Sequence, residues 1–97
     1  MATYILLATY TEQGIKGIKD TVKRTESVKE LAKKAGATMK ESYWTLGAYD
    51  VVAVFEAPDD ETMTAFSLSV AKLGNVKTQT LRAFSAKEMS GIIGKMA

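Results

Sequence analysis

Apolar and polar positions change period several times along the chain, and each change marks an element. Thr3–Tyr10 (TYILLATY) is rich in β-branched and aromatic residues and lacks Gly and Pro, which predicts a strand. Its two faces, Thr3/Ile5/Leu7/Thr9 and Tyr4/Leu6/Ala8/Tyr10, carry no charge, so it is expected to be buried on both sides. Thr11–Gly17 follows as a Gly-punctuated connection. From about Ile18, the positions Ile18, Val22, Thr25, Val28, Leu31, Ala32 and Ala35 form a helical stripe that ends at Gly36. Ala37–Leu46 is mixed in polarity, with Lys40 and Glu41 adjacent, as suits an edge strand. Gly47-Ala48-Tyr49 turns the chain, and Asp50–Ala57 (DVVAVFEA) is a second strand apolar on both faces.

Pro58 cannot extend a ladder, and Asp59 is a good N-cap for a helix with Met63, Phe66, Val70 and Leu73 on one stripe, stopping at Gly74. Val76–Phe84 is the last strand, again of mixed polarity. Ser85 with Glu88 three residues on forms a capping box for a short tail helix, whose apolar stripe is Met89, Ile92, Ile93 and Met96. So short a helix needs another surface, and the partner of a dimer is the expected one. The order is βαββαβ plus a tail, in one domain spanning 1–97. Right-handed crossovers with the doubly apolar strands in the middle give an α+β, ferredoxin-like architecture: a four-stranded antiparallel sheet of order 4-1-3-2 with both helices on one face. Two helices cover only that face. The other is also apolar in the central strands, so a second copy is expected to pack sheet against sheet as a homodimer, with higher oligomers built from it allowed.

Composition narrows the chemistry. The chain has no Cys and no His, which removes disulfides, thiolate nucleophiles, imidazole bases and the usual zinc and haem ligands. No metal and no cofactor is expected. A formal charge of +2 is far short of the bias of a nucleic-acid binder, and the lysines of the first helix are interleaved with acids in the manner of a solvated face that includes Arg24. The apolar run Tyr4–Ala8 is too short to span a membrane or serve as a signal peptide, so no membrane partner and a cytoplasmic location are expected.

Leu46-Gly47-Ala48-Tyr49-Asp50, then Glu56-Ala57-Pro58-Asp59-Asp60, Leu73-Gly74-Asn75-Val76 and Thr80-Leu81-Arg82-Ala83-Phe84, resemble the GYD-domain family of bacteria and archaea over nearly the whole chain. The Gly-x-Tyr-Asp motif is carried by Gly47, Tyr49 and Asp50. The resemblance implies a ferredoxin-like subunit of the dimeric α/β-barrel type. Related barrels include cofactor-free oxygenases, isomerases, stress-response proteins and ligand-sensing modules, so the resemblance does not single out an activity.

Tyr49 and Asp50 have two readings: parts of a turn, or a phenol and a carboxylate at a barrel rim for ligand binding or proton transfer. On the last strand Thr78, Thr80 and Arg82 share a side. Arg82 there either holds an anion such as a carboxylate or phosphate, or pairs with Asp50 or Glu56. Tyr4, Tyr10, Tyr43 and Trp44 can wall an apolar pocket or serve packing; Tyr43 and Trp44 face opposite ways. The candidate binding set is thus Tyr43, Tyr49, Asp50, Thr80 and Arg82, with Asp50 and Arg82 the catalytic candidates. Asp59-Asp60-Glu61 is explained by capping and the helix dipole, and Gly14-Ile15-Lys16-Gly17 by a flexible connector. The leading expectation is a homodimer that binds a small anionic or aromatic molecule between sheet and helices. The alternatives are a cofactor-free oxygenase or isomerase, in which Asp50 or a tyrosine accepts a proton and Arg82 stabilises negative charge, and a purely structural assembly module.

Overall fold

The computed structural model describes residues 1–97. Strand β1 (Ala2–Tyr10) leads through helix α1 (Glu12–Lys16) and a 3-10 turn (Ile18–Asp20) into helix α2 (Thr21–Ala35). Strands β2 (Thr38–Trp44) and β3 (Val51–Ala57) follow, then helix α3 (Asp60–Lys72), strand β4 (Val76–Ala83) and helix α4 (Ala86–Ile93). The sheet has order β2-β3-β1-β4, which is the expected 4-1-3-2 counted from the opposite edge, and every pairing is antiparallel.

Strand parity fixes the two faces. Tyr4, Leu6 and Ala8 of β1 lie beside Phe55, Ala53 and Val51 of β3 and point to the helices. The core closes on Ala32, Met63, Phe66 and Val70, with the Phe55 and Phe66 rings 4.9 Å apart and tilted by 50°. Ile5 and Leu7, with Val54 and Val52 opposite them and Leu81 across from Ile5, form the other face, and no helix covers it. The caps behave as expected. Asp59 accepts from the Thr62 N–H, Ser85 and Glu88 complete the capping box, and Gly36 and Gly74 end α2 and α3 at positive φ of 92° and 84°.

Two expectations need correction. Gly14–Gly17 is not a flexible connector but lies in and just after helix α1. Thr11 caps α1 by accepting from the Gly14 N–H, and its own hydroxyl donates to the Gly74 carbonyl at 2.5 Å. Gln13 donates to Leu73 O and to Asn75 Oδ1, so α1 is docked on the α3–β4 junction. The inward stripe of α2 keeps the expected Thr25, Val28, Leu31 and Ala32 but begins at Thr21 and not at Val22. Val22 is 60% exposed, while Thr21, Thr25, Val28 and Ala32 face the sheet. Thr21 takes the inward position because its hydroxyl lies 2.8 Å from the Tyr10 hydroxyl and accepts the Trp44 indole N–H at 3.1 Å; buried polar groups need such a partner and a valine offers none.

Candidate functional site

Under the first half of α2 the helix stands off the sheet, and a cavity of about 120 Å³ opens between them. Its walls are almost wholly apolar. Leu6, Ala53 and Phe55 form the sheet side, Val28 the helix side and Met39 and Val70 the flanks. The gap follows from side-chain size: small residues occupy the sheet floor at Ala8 and Ala53, and Thr21 and Thr25 rather than larger side chains face them from α2. Tyr10, Thr21 and Arg24 line it as well. The Tyr10 hydroxyl and the Trp44 indole meet on Thr21 Oγ1, fastening β1 and β2 to the start of α2. Arg24 is half-buried, lies 6.0 Å from the Tyr10 ring centroid, and donates through Nη2 to the carbonyls of Gly14 and Gly17 at 3.0 and 3.1 Å. It belongs to the cavity wall and not to a solvated face, which corrects the reading of the α2 charges.

The five residues singled out from sequence do not converge. Tyr43 lies on the uncovered face of β2 opposite Val52, and its hydroxyl donates to Glu41 at 2.8 Å, a bond that raises the phenol's pKa. Tyr49 follows Gly47, whose φ of 108° turns the β2–β3 loop, and its hydroxyl donates to Gln79 of β4 at 3.1 Å. Asp50 precedes β3 instead of opening it. Its Oδ2 accepts from the Tyr10 N–H at 2.9 Å and its own N–H donates to Ala8 O at 2.8 Å. Thr80 is on the helix-side face of β4 opposite Leu6, exposed and outside the cavity.

Arg82, on that same face opposite Tyr4, is held between the rings of Tyr4 and Phe84, 5.6 and 4.5 Å from their centroids. Its Nη1 donates to the carbonyls of Thr3 and Ala83. The acid it meets is Glu88 of α4 at 3.5 Å, neither Asp50 nor Glu56. Parity explains the correction. Glu56 pairs with Thr3 on the uncovered face, where it meets Lys40 at 3.4 Å, and Arg82 is on the other side. Asp50 and Arg82 sit at opposite ends of β1, roughly 20 Å apart at ~3.3 Å per residue.

Beside Arg82, the buried Tyr4 donates its hydroxyl to Asp60 Oδ1 at 2.5 Å. Burial first, and then the Asp60 hydrogen bond and charge, push that hydroxyl up to about 12. Glu88 is held below its ordinary value by the Ser85 backbone N–H first, with Arg82 adding to it. Of the acidic run at α3, Asp59 caps the helix, its carboxyl lowered by the Thr62 N–H, and Asp60 takes the Tyr4 hydroxyl, so these two serve different partners. No helix is long and apolar enough to cross a membrane.

Of the cavity's polar residues, Tyr10 was legible as a pocket aromatic, whereas Thr21 and Arg24 were not singled out. A signal existed for Arg24. It falls three residues after Thr21 and four before Val28, within the inward arc of α2 once that arc begins at Thr21 rather than Val22.

Comparison with known proteins agrees with this architecture. A protein of Thermus thermophilus named glutamine synthetase and cystathionine beta-lyase binding protein is 36% identical over 90 residues, spanning 92% of this chain and 95% of its own. Among solved structures, FFRP-DM1 superposes with a TM-score of 0.63 at 19% identity, covering 87% of this chain and all of the other. A crystal structure from Thermus thermophilus gives 0.57 at 24% identity over 89% of this chain and 96% of its own, and one from Pyrococcus horikoshii gives 0.57 at 21% over 88% and 92%. These structures share the fold. With a match to the GYD domain running over residues 4–93, the chain belongs to the GYD-domain family.

Proposed function

We propose that the protein is a homodimeric binding module that takes a small molecule between sheet and helices and docks, as a dimer, on metabolic enzymes. The observation that carries this reading is the cavity: about 120 Å³, lined mostly by apolar side chains with a few polar ones, Thr21, Arg24 and Ser42 among them, which is the make-up of a small-ligand site. The dimer is supported by the uncovered face. Ile5, Leu7, Val52 and Val54 stand there side by side with Leu81, which is 40% exposed, and an apolar sheet face of this kind is self-complementary about a two-fold axis. Enzyme partners are supported by the Thermus relative, whose name records binding to glutamine synthetase and cystathionine beta-lyase. An oxygenase or isomerase built on Asp50 and Arg82 has no support in the geometry, since nothing joins them in one site.

Three measurements test the reading. Sedimentation equilibrium at micromolar concentration should give twice the 10.5 kDa chain mass, and Val52→Lys should shift it to monomer; a wild-type monomer overturns the dimer. Purified glutamine synthetase and cystathionine beta-lyase from the same host should bind the immobilised protein saturably; binding of neither overturns the choice of partners. Toluene, which asks only for an apolar hole, should shift the methyl resonances of Leu6, Val28 and Met39, and no shift overturns the ligand site.

A further inference from the structure

The cavity wall contains one charged side chain, Arg24, and no acid. The three ion pairs of the chain are Lys16–Glu12, Lys40–Glu56 and Arg82–Glu88, so Arg24 is paired with no carboxylate. It is half-buried, and only Nη2 is engaged, donating to the carbonyls of Gly14 and Gly17. A guanidinium carries five N–H donors in a rigid fork, so its remaining donors have no protein acceptor. No side-chain nitrogen is buried without a partner, so these donors are open to an incoming anion, and a planar carboxylate fits the fork. The two carbonyls and the Tyr10 ring hold the fork in place in advance, which limits the entropy lost when an anion arrives.

Size sets the other half of the ligand. A dry protein cavity of ~150 Å³ accepts benzene, and this one is about 120 Å³, is not fully enclosed, and has the half-buried Arg24 in its wall. From these facts we infer that the cavity takes a small apolar monocarboxylate, about the size of benzoate. Its hydrocarbon part packs against Leu6, Val28, Met39 and Phe55, and its carboxylate sits on the free side of the Arg24 guanidinium. The inference rests on reading the cavity as a ligand site, and it adds the charge and the chemical class.

The experiment compares two probes of one shape, benzoate and benzamide, by amide and methyl chemical shifts and by the emission of Trp44, the chain's only tryptophan, which is bonded to Thr21 of the cavity wall. Benzoate should bind with a Kd of about 1 mM or tighter and benzamide at least about tenfold more weakly, as expected for losing one charge-assisted contact. Arg24→Met should bring benzoate down to the level of benzamide and leave benzamide unchanged, while Arg24→Lys keeps part of the preference. Equal affinities in the wild-type protein, or a benzoate preference that survives Arg24→Met, overturn the inference even if toluene still binds and the ligand site stands. Loss of toluene binding as well removes the site itself. If Arg24→Met loosens α1 and fails to fold, the wild-type comparison of the two probes still decides.

Discussion

Asp50 and Tyr10 close the sheet from both ends of one hydrogen-bonded corner: the Asp50 carboxylate accepts from the Tyr10 N–H at 2.9 Å while the Asp50 N–H donates to Ala8 O at 2.8 Å. The loop is tied again by Thr45, whose N–H donates to Asp50 O at 2.9 Å and whose hydroxyl donates to Tyr49 O at 2.5 Å. The acid of the Gly-x-Tyr-Asp motif therefore ends β1, and Gly47 supplies the positive φ that brings it there. Asp50→Ala leaves the Tyr10 N–H unpaired and should cost about 1–3 kcal/mol in chemical denaturation. Asp50→Asn keeps an acceptor and should cost less than half of that. Equal losses for the two would show that the charge, and not the bond, matters.

Gly14 marks the closest approach of α1 to the α3–β4 junction. A Cβ there would lie 2.0 Å from Asn75 O, a backbone atom that has no rotamer with which to yield. Gly14→Ala should destabilise by about 1–3 kcal/mol, as overpacking does. Because Gly14 O also anchors Arg24, the same variant should weaken benzoate binding more than toluene binding. A melting temperature equal to wild type would disprove the tight contact.

The burial of Tyr4, together with its bond to Asp60, predicts an alkaline response. The folded-state pKa of Tyr4, at about 12, lies above the ordinary value of 10.0, so the folded chain holds this proton more tightly than the unfolded one. The resulting stabilisation is complete below pH 10 and is lost as pH rises towards 12. Tyr4→Phe should therefore be less stable than wild type by about 1–2 kcal/mol near neutrality. Denaturant titrations at stepped pH should show that difference vanish across the alkaline window, and a difference independent of pH would refute the linkage.

Helix α4 ends at Ile93, short of Met96, and its apolar residues point outward in the single chain: Met89, Ile92 and Ile93 are 46, 36 and 55% exposed, and Met96 beyond it is 75% exposed. Arg82 and Glu88 fix where it leaves β4. A chain ending at Phe84 should self-associate at least about tenfold more weakly in sedimentation equilibrium, as loss of such apolar area at an interface requires. Unchanged association together with an unchanged melting temperature would show that the stripe docks on nothing in the proposed dimer.

The sequence by itself determined the four strands, the helices α2, α3 and α4 and their order, though not α1, because the forces that set them act within a few residues. Asp59 and Ser85 cap their helices, Gly36 and Gly74 end them at positive φ, and β1 and β3, apolar on both faces, had to be central. It also showed that Thr80 and Arg82 share a side of β4, since strand parity is local. What only the tertiary structure decided is what meets each side. The helices cover the face of Tyr4 and not that of Thr3, so Arg82 is separated from Glu56 by the sheet itself. The first inward position of α2 is Thr21 and not Val22, because Thr21 Oγ1 meets Tyr10 and Trp44, which lie elsewhere in the sequence. Arg24 also turned inward, and the small side chains beneath it left a cavity, because packing in a core is settled between elements and not along them.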